Sequence, residues 1–190
     1  MPFQQRPRAP DAPALTDDEA RELCLRLLEV RARSRSELTD RLRTGGADPQ
    51  TAERVLDRLV EVGLVDDDAY AAALARGRRA QRGLSRPALT GELRRRGLDE
   101  AVVAEAVEAA AQEPEHEVAL RLAQRRRGAL AHLPPDVQRR RLSGYLARRG
   151  YGFDVVGPVC AQVLVGEVDT DDADDALEQA LQHAAEAGPE

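Results

Sequence analysis

Apolar residues recur along the chain at spacings of three and four, the period of a helix with one buried face. Ala20, Leu23, Cys24, Leu27 and Leu28 form the first such stripe, opened by Thr16-Asp17-Asp18-Glu19. In this capping box the threonine hydroxyl and the glutamate carboxylate serve free N–H groups of the first turn. Ser34-Arg35-Ser36-Glu37 is a second box, leading into Leu38 and Leu42 and stopping at Gly45-Gly46, where glycine supplies the left-handed backbone needed past a helix end. Asp48-Pro49 then pairs an N-cap with the residue that loses nothing at the first helical position. Ala52, Val55, Leu56, Leu59 and Val60 carry a third helix to Gly63.

The same pattern returns twice. Leu-x3-Leu-x3-Gly occurs as Leu38, Leu42, Gly46, as Leu89, Leu93, Gly97, and as Leu142, Leu146, Gly150. An apolar helix follows each glycine, with Val55-Leu56, Ala106-Val107 and Val159-Cys160 in matching places. The second repeat is predicted to hold helices over 67–81, 85–96 and 99–111, and the third over 115–131, 135–149 and 154–164. No segment reads as a strand. Units of about 50 residues are small for independent folding, so neighbours are expected to pack together. The fold class is therefore all-α, an elongated tandem array of three three-helix repeats at 16–64, 65–112 and 113–166. A proline-rich flexible arm precedes it at 1–15. An acidic tail follows at 167–190, in which Ala173, Ala176, Leu177, Ala180, Leu181 and Ala184 have the spacing of a short amphipathic helix.

Charge separates what hydropathy treats alike. The net charge of −6 hides an uneven distribution. Residues 1–75 carry 11 Arg against 15 acids, residues 76–149 carry 17 Arg against 9, and residues 150–190 carry no Arg and 10 acids. A basic middle followed by an acidic end points to a polyanionic or acidic partner. All 28 basic residues are arginine, which excludes a P-loop lysine and a Schiff-base lysine. No apolar run is long enough to cross a membrane and the start lacks a signal-peptide pattern, so a cytoplasmic protein is expected. Cys24 and Cys160 lie far apart in apolar stretches and read as buried thiols.

Neither a catalytic set nor a metal cluster emerges. His116, His132 and His183 stand apart from one another and from the cysteines, and Asp66-Asp67-Asp68 sits where a helix begins, as capping residues do. No enzyme activity, metal or cofactor is expected. The arginines remain, since a guanidinium grips a phosphate or carboxylate with two parallel hydrogen bonds. The triplet before Gly97 and the pair before Gly150 also complement the negative ends of their helices, a purely structural role that stands beside the binding one. Five aromatic residues, most of them core-like by spacing, do not make a base-reading surface.

One segment is specific. Leu64-Val65-Asp66-Asp67-Asp68-Ala69-Tyr70-Ala71, then Arg76 and Arg79, then Arg82-Gly83-Leu84-Ser85-Arg86-Pro87-Ala88-Leu89 and Glu92-Leu93-Arg94-Arg95-Arg96-Gly97-Leu98, closely resembles the central motif of the RecX family. Ser34 to Leu38, running on to Gly63-Leu64-Val65-Asp66, looks like that family's first repeat, and the resemblance spans about 16–165. It implies a monomeric, non-enzymatic inhibitor of the RecA recombinase, acting in DNA repair, homologous recombination and the SOS response. Such a protein lodges in the groove of the RecA–DNA filament and limits filament extension, ATP hydrolysis, strand exchange and co-protease activity. On this reading Arg76, Arg79, Arg82, Arg94, Arg95 and Arg96 are central contacts to RecA and to single- or double-stranded DNA. Arg125, Arg126, Arg127, Arg148 and Arg149 extend the surface. Arg96 stands where the family often has lysine, and Tyr70 at a usual aromatic position whose expected job is packing. A general arginine-rich helical DNA-binding protein without RecA specificity is the alternative.

Overall fold

The computed structural model describes residues 14–164. Among them are the helices α1 (Asp17–Val30), α2 (Arg35–Gly45), α3 (Pro49–Glu61), α4 (Asp67–Arg82), α5 (Arg86–Arg94), α6 (Glu100–Ala110), α7 (Glu115–Arg127), α8 (Pro135–Ala147) and α9 (Phe153–Leu164), and no strand. The fold is the expected all-α tandem repeat. Most of the arm and the whole acidic tail, with its expected helix, lie outside the described residues. Leu15, assigned by composition to the arm, instead belongs to the first repeat: its N–H donates to the Gly46 carbonyl at 3.1 Å and its side chain packs on that repeat's core.

Each repeat builds its own apolar cluster. Leu38, Leu42, Leu89, Leu93, Leu142 and Leu146, the six repeated leucines, are all fully buried. Burial of each such side chain is worth about 1.5–3 kcal/mol. Around them gather Leu23, Cys24 and Leu56 in the first repeat, Ala71, Ala75 and Val103 in the second, and Ala123, Tyr151 and Val159 in the third. Both thiols are free and buried, and burial pushes that of Cys24 up to about 11. Phe153 departs from the core-like reading of the aromatics: it is 90% exposed at the first position of α9.

Local chemistry sets the helix ends as expected. Both capping boxes form, at Thr16 with Glu19 and at Ser34 with Glu37. Gly46, Gly97 and Gly150 have φ values of 91°, 68° and 86°. The third repeat departs from the other two. Ser34 and Ser85 cap α2 and α5 four residues before the first repeated leucine, but Gln138 occupies that place in the third repeat and α8 begins earlier, at Pro135. The Gln138 amide is buried and donates to the Leu133 carbonyl at 2.8 Å. The expected helix over 115–131 ends at Arg127 and tightens into a single 3-10 turn at Gly128–Leu130.

The chain divides into two compact units, Met1–Gln112 with the first two repeats and Glu113–Glu190 with the third. Within the first unit, the repeats are joined where α2 begins. The Ser34 hydroxyl donates to the Arg96 carbonyl at 2.6 Å, and the Arg35 N–H donates to the Asp67 carboxylate at 2.8 Å. A carbonyl left open past the end of α5 and an N–H left open at the start of α2 thereby find partners in the adjoining repeat. Gly97 is required there twice over: its φ is left-handed, and a Cβ would collide with the Ser36 hydroxyl.

Candidate functional site: the arginine surface

The arginines of the second repeat are largely committed to partners inside the first unit. Arg78 pairs with Glu92 at 2.7 Å, and Arg86 pairs with Glu108 at 2.6 Å while also reaching the Ala111 carbonyl at 2.7 Å. Arg94 forms a two-pronged pair with Glu100. Arg79 donates to the Leu84 carbonyl at 2.7 Å, bracing the turn after α4. Arg76 and Arg95 are exposed, neither with an acidic partner among the described residues, and Arg82 is exposed at the end of α4.

Arg96 has the most constrained position. Its guanidinium donates to the Glu37 carboxylate and to the Tyr70 hydroxyl, each at 3.1 Å. The same carboxylate accepts from Arg31 at 2.8 Å, from the Tyr70 hydroxyl at 3.1 Å and from the Ser34 N–H at 3.2 Å. Burial alone would raise the Glu37 carboxyl, but hydrogen bonds from Arg31, the Ser34 backbone and Tyr70, with the Arg31 charge, hold it at about 2. Burial and the neighbouring Glu37 charge push the Tyr70 hydroxyl up. Tyr70 thus does more than pack, and Arg96 clamps two repeats together with 27% of its side chain exposed. Arg31 and Glu37 were not among the sequence candidates. Only the capping box marked Glu37, and nothing local announces a partner 59 residues away.

The third repeat treats its arginines differently. Arg121 is bound to Glu113, but Arg125, Arg126 and Arg148 are exposed and form no ion pair among the described residues. Arg149 lies over the Tyr145 ring, 3.7 Å from its centroid, and donates to the Tyr145 carbonyl at 3.1 Å. Arg126 approaches the same ring at 5.7 Å. Arg127, half-buried, closes α7. The structure therefore brings Arg126, Arg148 and Arg149 together and leaves Arg125 on an exposed face. Arg140 and Arg141, part of the arginine-rich region but outside the contacts that the resemblance implied, join this group. Their signal was the spacing of Arg140 with Arg148 and of Arg141 with Tyr145 and Arg149, which places them on one side of a helix.

Comparison with known proteins agrees with this architecture. Three family models match in order: RecX, first three-helix domain, over 20–59; RecX, second three-helix domain, over 66–107; and RecX, third three-helix domain, over 113–159. The chain is 48% identical over 132 residues to the Regulatory protein RecX of Thermobifida fusca (strain YX), covering 70% of this chain and 71% of that protein. To the Regulatory protein RecX of Mycobacterium sp. (strain JLS) it is 40% identical over 162 residues, covering 83% and 88%. The crystal structure of RecX from Lactobacillus salivarius shares the fold, with a TM-score of 0.65 at 17% identity over 77% of this chain and 96% of that one. With three successive domain matches and this degree of identity across most of its length, the chain belongs to the RecX family of regulatory proteins.

Proposed function

We propose that this protein is a non-enzymatic inhibitor of the RecA recombinase that lodges in the groove of the RecA–DNA filament and limits its extension, ATP hydrolysis, strand exchange and co-protease activity. Family membership supports the regulatory role. The observation that carries the binding mode is the gathering of 17 arginines into residues 76–149 of a chain whose net charge is −6. Guanidinium groups on short helices meet DNA phosphates and acidic protein surfaces by charge and shape, without reading bases. The exposed contacts are Arg76, Arg82, Arg95, Arg125, Arg126 and Arg148. Arg79, Arg94 and Arg96 in the first unit, and Arg127 and Arg149 in the second, support these contacts from positions that also serve the fold. No helix among the described residues is long and apolar enough to cross a membrane.

RecA ATP hydrolysis on single-stranded DNA tests the reading, with the intact protein titrated well below one copy per RecA. Inhibition at low ratios, relieved by Arg76→Ala with Arg95→Ala, is the expected result. Both side chains are exposed, so the fold survives their loss. Inhibition that begins only when the protein coats the DNA, and that disappears with salt in parallel with binding to bare DNA, would instead identify a general DNA-binding protein.

A further inference from the structure

A cleft of about 360 Å³ opens on α7 and α8 of the third repeat, lined by Arg126, Arg140, Arg141, Gly144, Tyr145 and Arg148. No carboxylate lines it, and its four arginines form no ion pair among the described residues. Such convergence of like charge is unfavourable unless an anion enters. Several guanidinium groups elsewhere meet a carboxylate, Arg78 with Glu92, Arg86 with Glu108 and Arg121 with Glu113, whereas the four cleft arginines converge on one opening without one.

Two details mark the cleft as built. Gly144 stands inside α8, where glycine costs about 1 kcal/mol relative to alanine. A Cβ there would lie 3.3 Å from Arg148 Nη1, so the missing side chain lets that guanidinium rest against the helix. Arg149, at 3.7 Å from the Tyr145 centroid, covers that ring with a cation. One face of the ring therefore anchors arginine.

We propose that this cleft binds the phosphodiester backbone of nucleic acid, holding roughly two or three successive phosphates without reading sequence. The arginine forks match phosphate oxygens in pairs. A lining of arginine, glycine and one covered tyrosine offers no apolar pocket of the kind that anchors the side chains of an acidic peptide. The proposal deepens the RecA reading, on which it rests for its setting, by assigning where the chain meets nucleic acid, and its principal contacts Arg140 and Arg141 lie outside the second-repeat motif.

The test is fluorescence anisotropy of a labelled oligothymidylate with the full chain, compared with Arg140→Gln, Arg141→Gln, Arg148→Gln combined. A control of equal charge loss is Arg21→Gln, Arg26→Gln, Arg43→Gln, all exposed on the first repeat. The cleft variant is expected to bind at least about tenfold more weakly, with a salt dependence shallower by about 2 in log–log slope, and the control to stay within about twofold. Oligodeoxyadenylate is expected to bind as the thymidylate does. Equal losses in both variants, an unchanged cleft variant, or strong preference between the two oligonucleotides would overturn the site. RecA inhibition by a protein that binds no oligonucleotide would also overturn it while leaving the RecA reading standing. Cleft-dependent oligonucleotide binding without RecA inhibition would do the reverse.

Discussion

Where the first and second repeats meet, arginines are structural; in the cleft of the third repeat they are left for a partner. Arg96 reaches a carboxylate already served by Arg31, Tyr70 and a backbone N–H. Arg140, Arg141 and Arg148 line an opening that holds only cations and one aromatic ring. Both groups belong to runs of two or three arginines, and composition cannot tell them apart. Whether a guanidinium stabilises the fold or binds a ligand depends on whether the fold brings an acid within reach, from the same repeat for Arg78 and Arg86 or from its neighbour for Arg96.

The largest test of this contrast is Gly97→Ala. The substitution imposes a left-handed backbone on a side chain and drives a Cβ into the Ser36 hydroxyl, so the repeats must separate at the Ser34 contact. A loss of roughly 2–4 kcal/mol is expected by urea denaturation. Gly63→Ala is the matched control, because its φ is 72° but nothing lies within 4 Å of a Cβ there. About 1 kcal/mol should be lost at that position.

Acid titration comes next. The Glu37 carboxyl is held at about 2 in the folded chain against an ordinary value of 4.5. Its contribution is thus complete above pH 4.5 and is lost as pH falls toward 2, amounting to about 2 kcal/mol after allowance for partial exposure. Glu37→Gln should lower stability at neutral pH and flatten the stability profile across that window. An unchanged profile would mean that the junction does not depend on this charge.

The smallest effect has the opposite sign. Gly144→Ala removes a helix-interior glycine and should stabilise the third repeat by about 0.5–1 kcal/mol in thermal melts. Because the new methyl crowds Arg148, oligonucleotide affinity should fall by about two- to fivefold. A gain in stability with no loss of affinity would separate Gly144 from the cleft.

The helices and their threefold repetition were legible because they are written in near-neighbour chemistry. Thr16 with Glu19 and Ser34 with Glu37 cap within one turn, and the repeated leucines return at helical spacing before a glycine. The arginine-rich region was legible as a region, since charge density needs no fold to be counted. The role of each arginine was not. Arg96 finds Glu37 across 59 residues, and Ser34 finds the Arg96 carbonyl across 62. The start of α8 at Pro135, where Gln138 stands in place of a capping serine, was by contrast legible from the proline itself.

Secondary structure, repeat number and family were thus properties of residue order alone, because caps, helix period and left-handed glycines act over a few positions of chain. The partner of each guanidinium was decided by the fold. A charge is neutralised by the acid that lies within about 4 Å of it in space, and only the packed repeats determine which acid that is.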